Sequence, residues 1–373
     1  MQRIGILFEY GTLNGGEHSM LAAIDHLQDR RFQFVILAPQ EGPLQAEVTK
    51  RNLPLQIVNF RDSSGTRISP AELASNLNQI AADSELEVIH ANSLTMGRHL
   101  GAIANQLNVP TTSHIRDIMS LSKAAIRDLN QHQKLIAVSD ATREFHINQG
   151  IDPARIQRVY NGVDCEKFQP RESTGYLRKQ LSLPANAILI ATIGQICLRK
   201  AQVDLAEAAV VLKDQNLDLY YLIVGERHST KQESIDFDQR ISDFFVQAGM
   251  AQRLHRLGYV ANISELMNEI DLLVHPARQE PLGRVLLEAA ASGVPIIATS
   301  VGGTLEILQD RRSALIVEPQ IPSAITSAIQ ELLSSDALQN AIATRARQVA
   351  IKKFNIPQRA DELGDVWQQV LIK

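Results

Sequence analysis

Cysteine is scarce in this 373-residue chain: Cys165 and Cys197 are the only two. Two isolated thiols make neither a disulfide framework nor a thiolate zinc site, and they suit a reducing compartment. Long apolar runs are missing as well, and none approaches the ~18 residues that read as a bilayer span. No block of like charge forms a tail, and the net charge of −4 gives no reason to expect nucleic acid as a partner. The first residues enter a strand-like run with no leader pattern ahead of them. The expectation is a soluble, cytoplasmic protein.

What is present is alternation. Apolar runs of strand length at 4–8, 32–38, 55–58, 87–91 and 135–139, with another strand end at 111–117, are separated by stretches of helical period. A polar loop is expected at 61–69. The pattern lapses at 165–175, where polar residues and Pro170 read as a linker, and then restarts at 187–193. A chain of this length prefers two domains. Strand–helix alternation predicts an α/β fold with parallel sheets covered on both faces, binding ligands beyond the carboxyl ends of the strands.

Several strand ends carry candidate chemistry. Gly15 and Gly16 follow the first strand and open a helix, a phosphate-type arrangement, although by themselves they read first as a tight turn needing glycine. The loop is neither G-x-G-x-x-G nor a lysine phosphate loop, so nicotinamide or ATP binding is not indicated. His114 ends another strand, with His90 and Asn92 at the end of the strand before it. A strand ending at Gly194-Gln195 leads to Arg199 and Lys200 at a helix start. Cations there oppose the helix dipole, which favours a bound phosphate over simple solvation. Residues 119–131 read as a helix bearing Lys123 and Arg127, first as a solvated face and second as a contact with a membrane surface. Asp236 and Asp238 match D-x-D, but on a helix they point about 200° apart. They read as solvated, and no metal is expected.

The richest stretch is 275–306, HPARQEPLGRVLLEAAASGVPIIATSVGGTLE. It reads as strand, loop, helix over 283–292 and strand, with Gly293 as the helix stop. Free amides around Gly283 to Leu286 suit an anion such as a diphosphate. Glu280 precedes the helix and Glu288 lies within it, eight residues on. Spacing alone equally fits two surface glutamates flanking an amphipathic helix.

The run from Glu280 to Glu288, continued through Ala289, Ala291, Gly293-Val294-Pro295-Ile296, Gly302-Gly303 and Glu306, resembles the E-x7-E element of the retaining glycosyltransferases of family 4. The likeness extends along nearly the whole chain, including VYNGVD at 159–164. It implies a GT-B fold: two Rossmann-like domains facing a cleft, 1–170 on the acceptor side and 171–355 binding a nucleotide-sugar, with a terminal helix at 356–373 crossing back to the first. It implies donor contacts from Gly15, Gly16, Gln195, Arg199, Lys200, Val260, Glu280, Leu282, Gly283, Val285, Leu286 and Glu288. Glu288 would hold ribose, Glu280 the sugar, and Val260 would lie along the base. His114, Glu280 and Lys200 are the implied catalytic residues, acting without metal or other cofactor. Replacing Lys200 should then lower turnover far more than it disturbs folding. The chain departs from the family pattern at Leu282 (usually Phe), Gln195 (usually Arg) and Ala201 (usually Gly). The partners implied are a UDP- or GDP-sugar donor and a glycan, lipid-linked or small-molecule acceptor, with peripheral contact at the inner membrane face. Other readings on this fold are a sugar-nucleotide epimerase, a phosphorylase or a non-catalytic nucleotide-sugar sensor.

Overall fold

Buried apolar strands alternating with helices build two all-parallel sheets in the computed structural model, which describes residues 1–39, 42–61, 64–215 and 217–372. Asp62 and Ser63 of the expected polar loop lie outside these residues. The chain divides into two units, Met1–Gly162 with Ile356–Lys373, and Val163–Asn355.

In the first unit seven strands are described: β1 (Gln2–Leu7), β2 (Phe32–Ala38), β3 (Leu55–Ile57), β4 (Val88–Ala91), β5 (Thr111–Ile115), β6 (Lys134–Ala137) and β7 (Ile156–Arg158). Their order is β3-β2-β1-β4-β5-β6-β7. The β4 and β5 side chains are buried throughout, as befits strands covered on both faces. The helix Ile356–Leu371 belongs here too. Leu363, Val366, Trp367 and Val370 form its buried face, and Trp367 packs edge-on to Phe32 and Phe34 with ring centroids 5.8 and 5.7 Å away.

The second unit has six described strands: β8 (Ile188–Ile193), β9 (Leu219–Val224), β10 (Leu254–Gly258), β11 (Leu272–His275), β12 (Ile296–Thr299) and β13 (Leu315–Val317). The order β10-β9-β8-β11-β12-β13 reverses direction between β8 and β11. Loops leaving the two strands at such a switch point turn to opposite faces and leave a crevice between them. In the first unit the same reversal falls between β1 and β4.

Some local expectations change. The segment expected to be helical over 119–131 is helical only over Lys123–Leu129. The Gln149 side chain takes the Leu121 amide at 2.7 Å and gives a hydrogen bond to the Met119 carbonyl at 3.1 Å, so tertiary bonds hold 119–121 out of the helix. The Ser122 hydroxyl then caps the shorter helix through the Ala125 amide. Part of the linker is tied down: buried Glu269 accepts hydrogen bonds from the Ser173 hydroxyl, the Thr174 amide and hydroxyl, and the Gly175 amide. No helix among the described residues is long and apolar enough to cross a membrane.

Candidate active site

The β8 and β11 ends meet in one side-chain cluster. The Lys200 ammonium lies 2.5 Å from Glu280 Oε2, and His275 Nε2 lies 2.8 Å from the same oxygen. Lys200 reaches it from the loop after β8. His275 is the last residue of β11, and Glu280 follows in the turn before the helix Arg284–Ser292. Glu280 and His275 are buried. Burial pushes the Glu280 carboxyl up, but the Lys200 charge and the His275 hydrogen bond outweigh it and hold it well below the usual range. Burial, and then Lys200, push the His275 imidazole down, so it is neutral at physiological pH.

The backbone around Glu280 is fixed from two sides. Its carbonyl accepts the Gly303 amide at 2.9 Å. Gly283 has φ of 105°, and a Cβ there would meet the Leu286 side chain at 2.7 Å, so only glycine fits at this helix start. The Leu286 amide is used by the Gly283 carbonyl at 3.0 Å. That corrects the expectation of a free amide at 286. Among the described residues the amides of Arg284 and Val285 have no acceptor. Leu282, Val285 and Leu286 bury their side chains, leaving backbone as their polar contribution. Glu288, also buried, pairs with Arg284 one turn earlier at 2.8 Å; burial raises its carboxyl despite that partner.

Other sequence candidates of the second unit have partners of their own. The helix after β8 begins at Gln202, so Lys200 stands before it, not in its first turn. Ala201 between them has φ of 51° and is fully buried, an L residue in the left-handed conformation that glycine adopts at lower cost. Gln195 is exposed, and its backbone carbonyl accepts from the Gln202 side-chain amide at 2.9 Å. Arg199 gives a hydrogen bond at 3.4 Å to the Gln279 carbonyl, turning it toward the Glu280 loop. Val260 is half-buried just past the end of β10. Asp238, expected to be solvated, pairs with Arg227 and Arg256, because β10 places Arg256 beside its helix. Asp236 accepts from Gln232. Among the described residues no three His, Cys, Asp or Glu side chains gather as metal ligands would.

In the first unit His114 is joined to buried neighbours. Its Nδ1 lies 2.7 Å from His90 Nε2, and His90 Nδ1 lies 2.7 Å from the Thr112 hydroxyl. The Arg116 guanidinium donates to the Asn92 carbonyl, the Asn92 side-chain oxygen and Asn161 Oδ1. Burial lowers its pKa to about 10. Gly15 and Gly16 open the helix Gly15–Leu27, and neither has a positive φ. The constraint at Gly16 is close approach: a Cβ there would lie 3.2 Å from the Arg116 side chain. Sequence reading left out His275 and Arg284. The signal for His275 was there, a histidine at a strand end five residues before Glu280.

Known proteins agree on the class. The family model described as Glycosyltransferase Family 4 matches residues 13–167, and that described as Glycosyl transferases group 1 matches residues 175–349. The chain is 22% identical to the UDP-Gal:alpha-D-GlcNAc-diphosphoundecaprenol alpha-1,3-galactosyltransferase of Escherichia coli, over 96% of this chain and 95% of that one. It is 25% identical to the N-acetyl-alpha-D-glucosaminyl L-malate synthase of Bacillus anthracis, over 80% and 79%. The crystal structure of Anabaena HepE in complex with UDP-glucose superposes with a TM-score of 0.87 at 21% identity, over 99% and 100%. Two parallel sheets with reversed strand order, a Lys–Glu–His cluster at one reversal and these matches lead to one class: the chain belongs to the family 4 glycosyltransferases and is a sugar-transferring enzyme with the GT-B fold.

Proposed function

We propose that this enzyme transfers a hexosyl group from a nucleoside-diphosphate sugar with retention at the anomeric carbon and without a metal. The observation that carries this reading is the Lys200–Glu280–His275 cluster, followed by the amides of Arg284 and Val285, which have no acceptor among the described residues. Fixed N–H dipoles at a helix start and a nearby ammonium suit a diphosphate whose charge grows as it leaves. Glu280, already accepting from Lys200 and His275, is a poor nucleophile and a good rigid acceptor for a sugar hydroxyl. The leaving phosphate is then the group that takes the acceptor's proton on the same face. Glu288 is assigned to the donor ribose and His114 to a sugar contact. Uridine donors come first, because HepE binds UDP-glucose and the E. coli relative is named for UDP-Gal. The acceptors to try are glycans, lipid-linked sugars on vesicles and small hydroxy compounds.

The test is calorimetric titration with UDP-, GDP- and ADP-sugars, followed by product analysis with acceptor present and absent. One donor should bind and stay intact alone; isomerisation of the donor without acceptor would point to an epimerase instead. Glu288→Ala should weaken donor binding about tenfold or more, the scale of a charged hydrogen bond. Unchanged affinity removes Glu288 from the ribose.

A further inference from the structure

The parallel register of β4 and β5 sets His90 opposite Thr112. His114 follows two residues later on the same face of β5. All three are buried, and they form one chain: Thr112 Oγ1, His90 Nδ1, His90 Nε2, His114 Nδ1, with 2.7 Å at each contact. His114 Nε2 is the ring atom left without a partner among the described residues, and His114 lines a small pocket with Arg116, Tyr160 and Asn161.

Two imidazole nitrogens 2.7 Å apart share one proton, and the direction of that bond decides where each ring carries its own. Burial, reinforced by Arg116, pushes both rings well below the ordinary histidine value, so each is neutral with one N–H. Two arrangements then satisfy the pair. In one, His114 Nδ1–H donates to His90, His90 Nδ1–H donates to Thr112, and His114 Nε2 is a bare lone pair. The Thr112 proton then needs another acceptor, and among the described residues its hydroxyl touches only His90. In the other, the Thr112 hydroxyl donates to His90 Nδ1, His90 Nε2–H donates to His114 Nδ1, and His114 carries its proton on Nε2. The buried hydroxyl proton is then used, and the one donor left for water or ligand, His114 Nε2–H, is on the residue that lines the pocket, whereas Thr112 is fully buried. Stranding a buried hydroxyl proton disfavours the first arrangement by roughly tenfold to a hundredfold in population.

We infer that Thr112 and His90 are positioning residues that hold His114 as the Nε2–H tautomer, so that His114 gives a hydrogen bond to a hydroxyl or ether oxygen of its ligand and does not accept the acceptor's proton. The tautomer is a property of the first unit alone; its bearing on sugar transfer rests on the proposed function. A conservative-looking change at Thr112 therefore reaches the ligand through two rings.

The test is long-range proton–nitrogen NMR on the full chain labelled with 15N-histidine, near neutral pH, with His114 assigned through His114→Gln. A protonated Nε2 and a bare Nδ1 are expected on both His90 and His114. A proton on His114 Nδ1, or a doubly protonated ring, overturns the inference. Thr112→Val removes the biasing proton while nearly keeping shape. It should turn His114 into a mixture of tautomers and lower kcat/KM about five- to tenfold, and a His114 that stays wholly Nε2–H in this variant overturns the role of Thr112. His90→Gln keeps an N–H for His114 Nδ1 and should stay within about threefold of the parent, whereas His90→Leu should lose about tenfold. Equal losses in the two overturn the role of His90. If His90→Leu fails to fold, the Thr112→Val spectrum and His90→Gln decide. Absence of any transfer by the parent enzyme refutes the proposed function and leaves the NMR answer standing.

Discussion

Lys200 and Glu280 are 80 positions apart and share an ion pair in which each depends on the other. A carboxylate as buried as Glu280 tolerates its charge only through partners. The buried ion pair adds a folding cost to the expectation that replacing Lys200 lowers turnover far more than it disturbs folding. Lys200→Met should destabilise the protein by about 3–5 kcal/mol, the usual cost of orphaning one member of a buried pair. Adding Glu280→Gln should recover most of that loss while activity stays low, because the double variant carries no stranded charge. Denaturant unfolding of the parent and the two variants checks this. Equal stability in the single and double variants would mean that water or His275 already neutralises Glu280 sufficiently. Ala201 next door shows a smaller strain, a left-handed backbone held by an alanine where the family usually has glycine.

At the scale of elements, the terminal helix Ile356–Leu371 fastens to the first sheet through one large side chain. Trp367 is fully buried against Phe32 and Phe34, with the His90 ring 5.3 Å away. Trp367→Ala should cost about 3–5 kcal/mol, as large aromatic truncations in cores do. It should also disturb the His90 resonances, because their ring neighbour is gone. A small shift in the unfolding midpoint would show that the helix is held elsewhere. The helix Arg284–Ser292 works differently: its side chains are buried almost throughout, and its start is shaped by Gly283. One element anchors by packing and the other offers backbone.

For the whole molecule, the buried neutral histidines set the acid response. His90, His114, His132 and His275 all have folded pKa values depressed by burial, that of His132 to about 4. A histidine that is neutral in the folded state and titrates near 6.5 when unfolded contributes stability that is full above 6.5 and is lost as pH falls toward the folded value. His132 alone should cost about 1.4 kcal/mol per pH unit between pH 6.5 and about 4. Glu280, depressed below its ordinary 4.5, adds a further loss only below that pH. Unfolding measured from neutrality down to about pH 5 should therefore show proton uptake, and His132→Gln should reduce the slope by about one proton. A flat profile would show that these rings become charged without unfolding.

Much of this was legible beforehand for a physical reason. Strand and helix periods are local, so the alternation of apolar runs announced two parallel sheets, and the residues between Glu280 and Glu288 announced the family. Strand ends are local too, which is why His114, Lys200 and Glu280 could be singled out by position. Partners are not local. That Lys200 and His275 converge on one oxygen of Glu280, that Gln149 unwinds 119–121, and that Thr112 and His90 line up behind His114 depend on strand order and tertiary packing. Sequence determined the class and the residue types available. Only the packing of strands far apart in the chain decided which proton and which charge each of them holds.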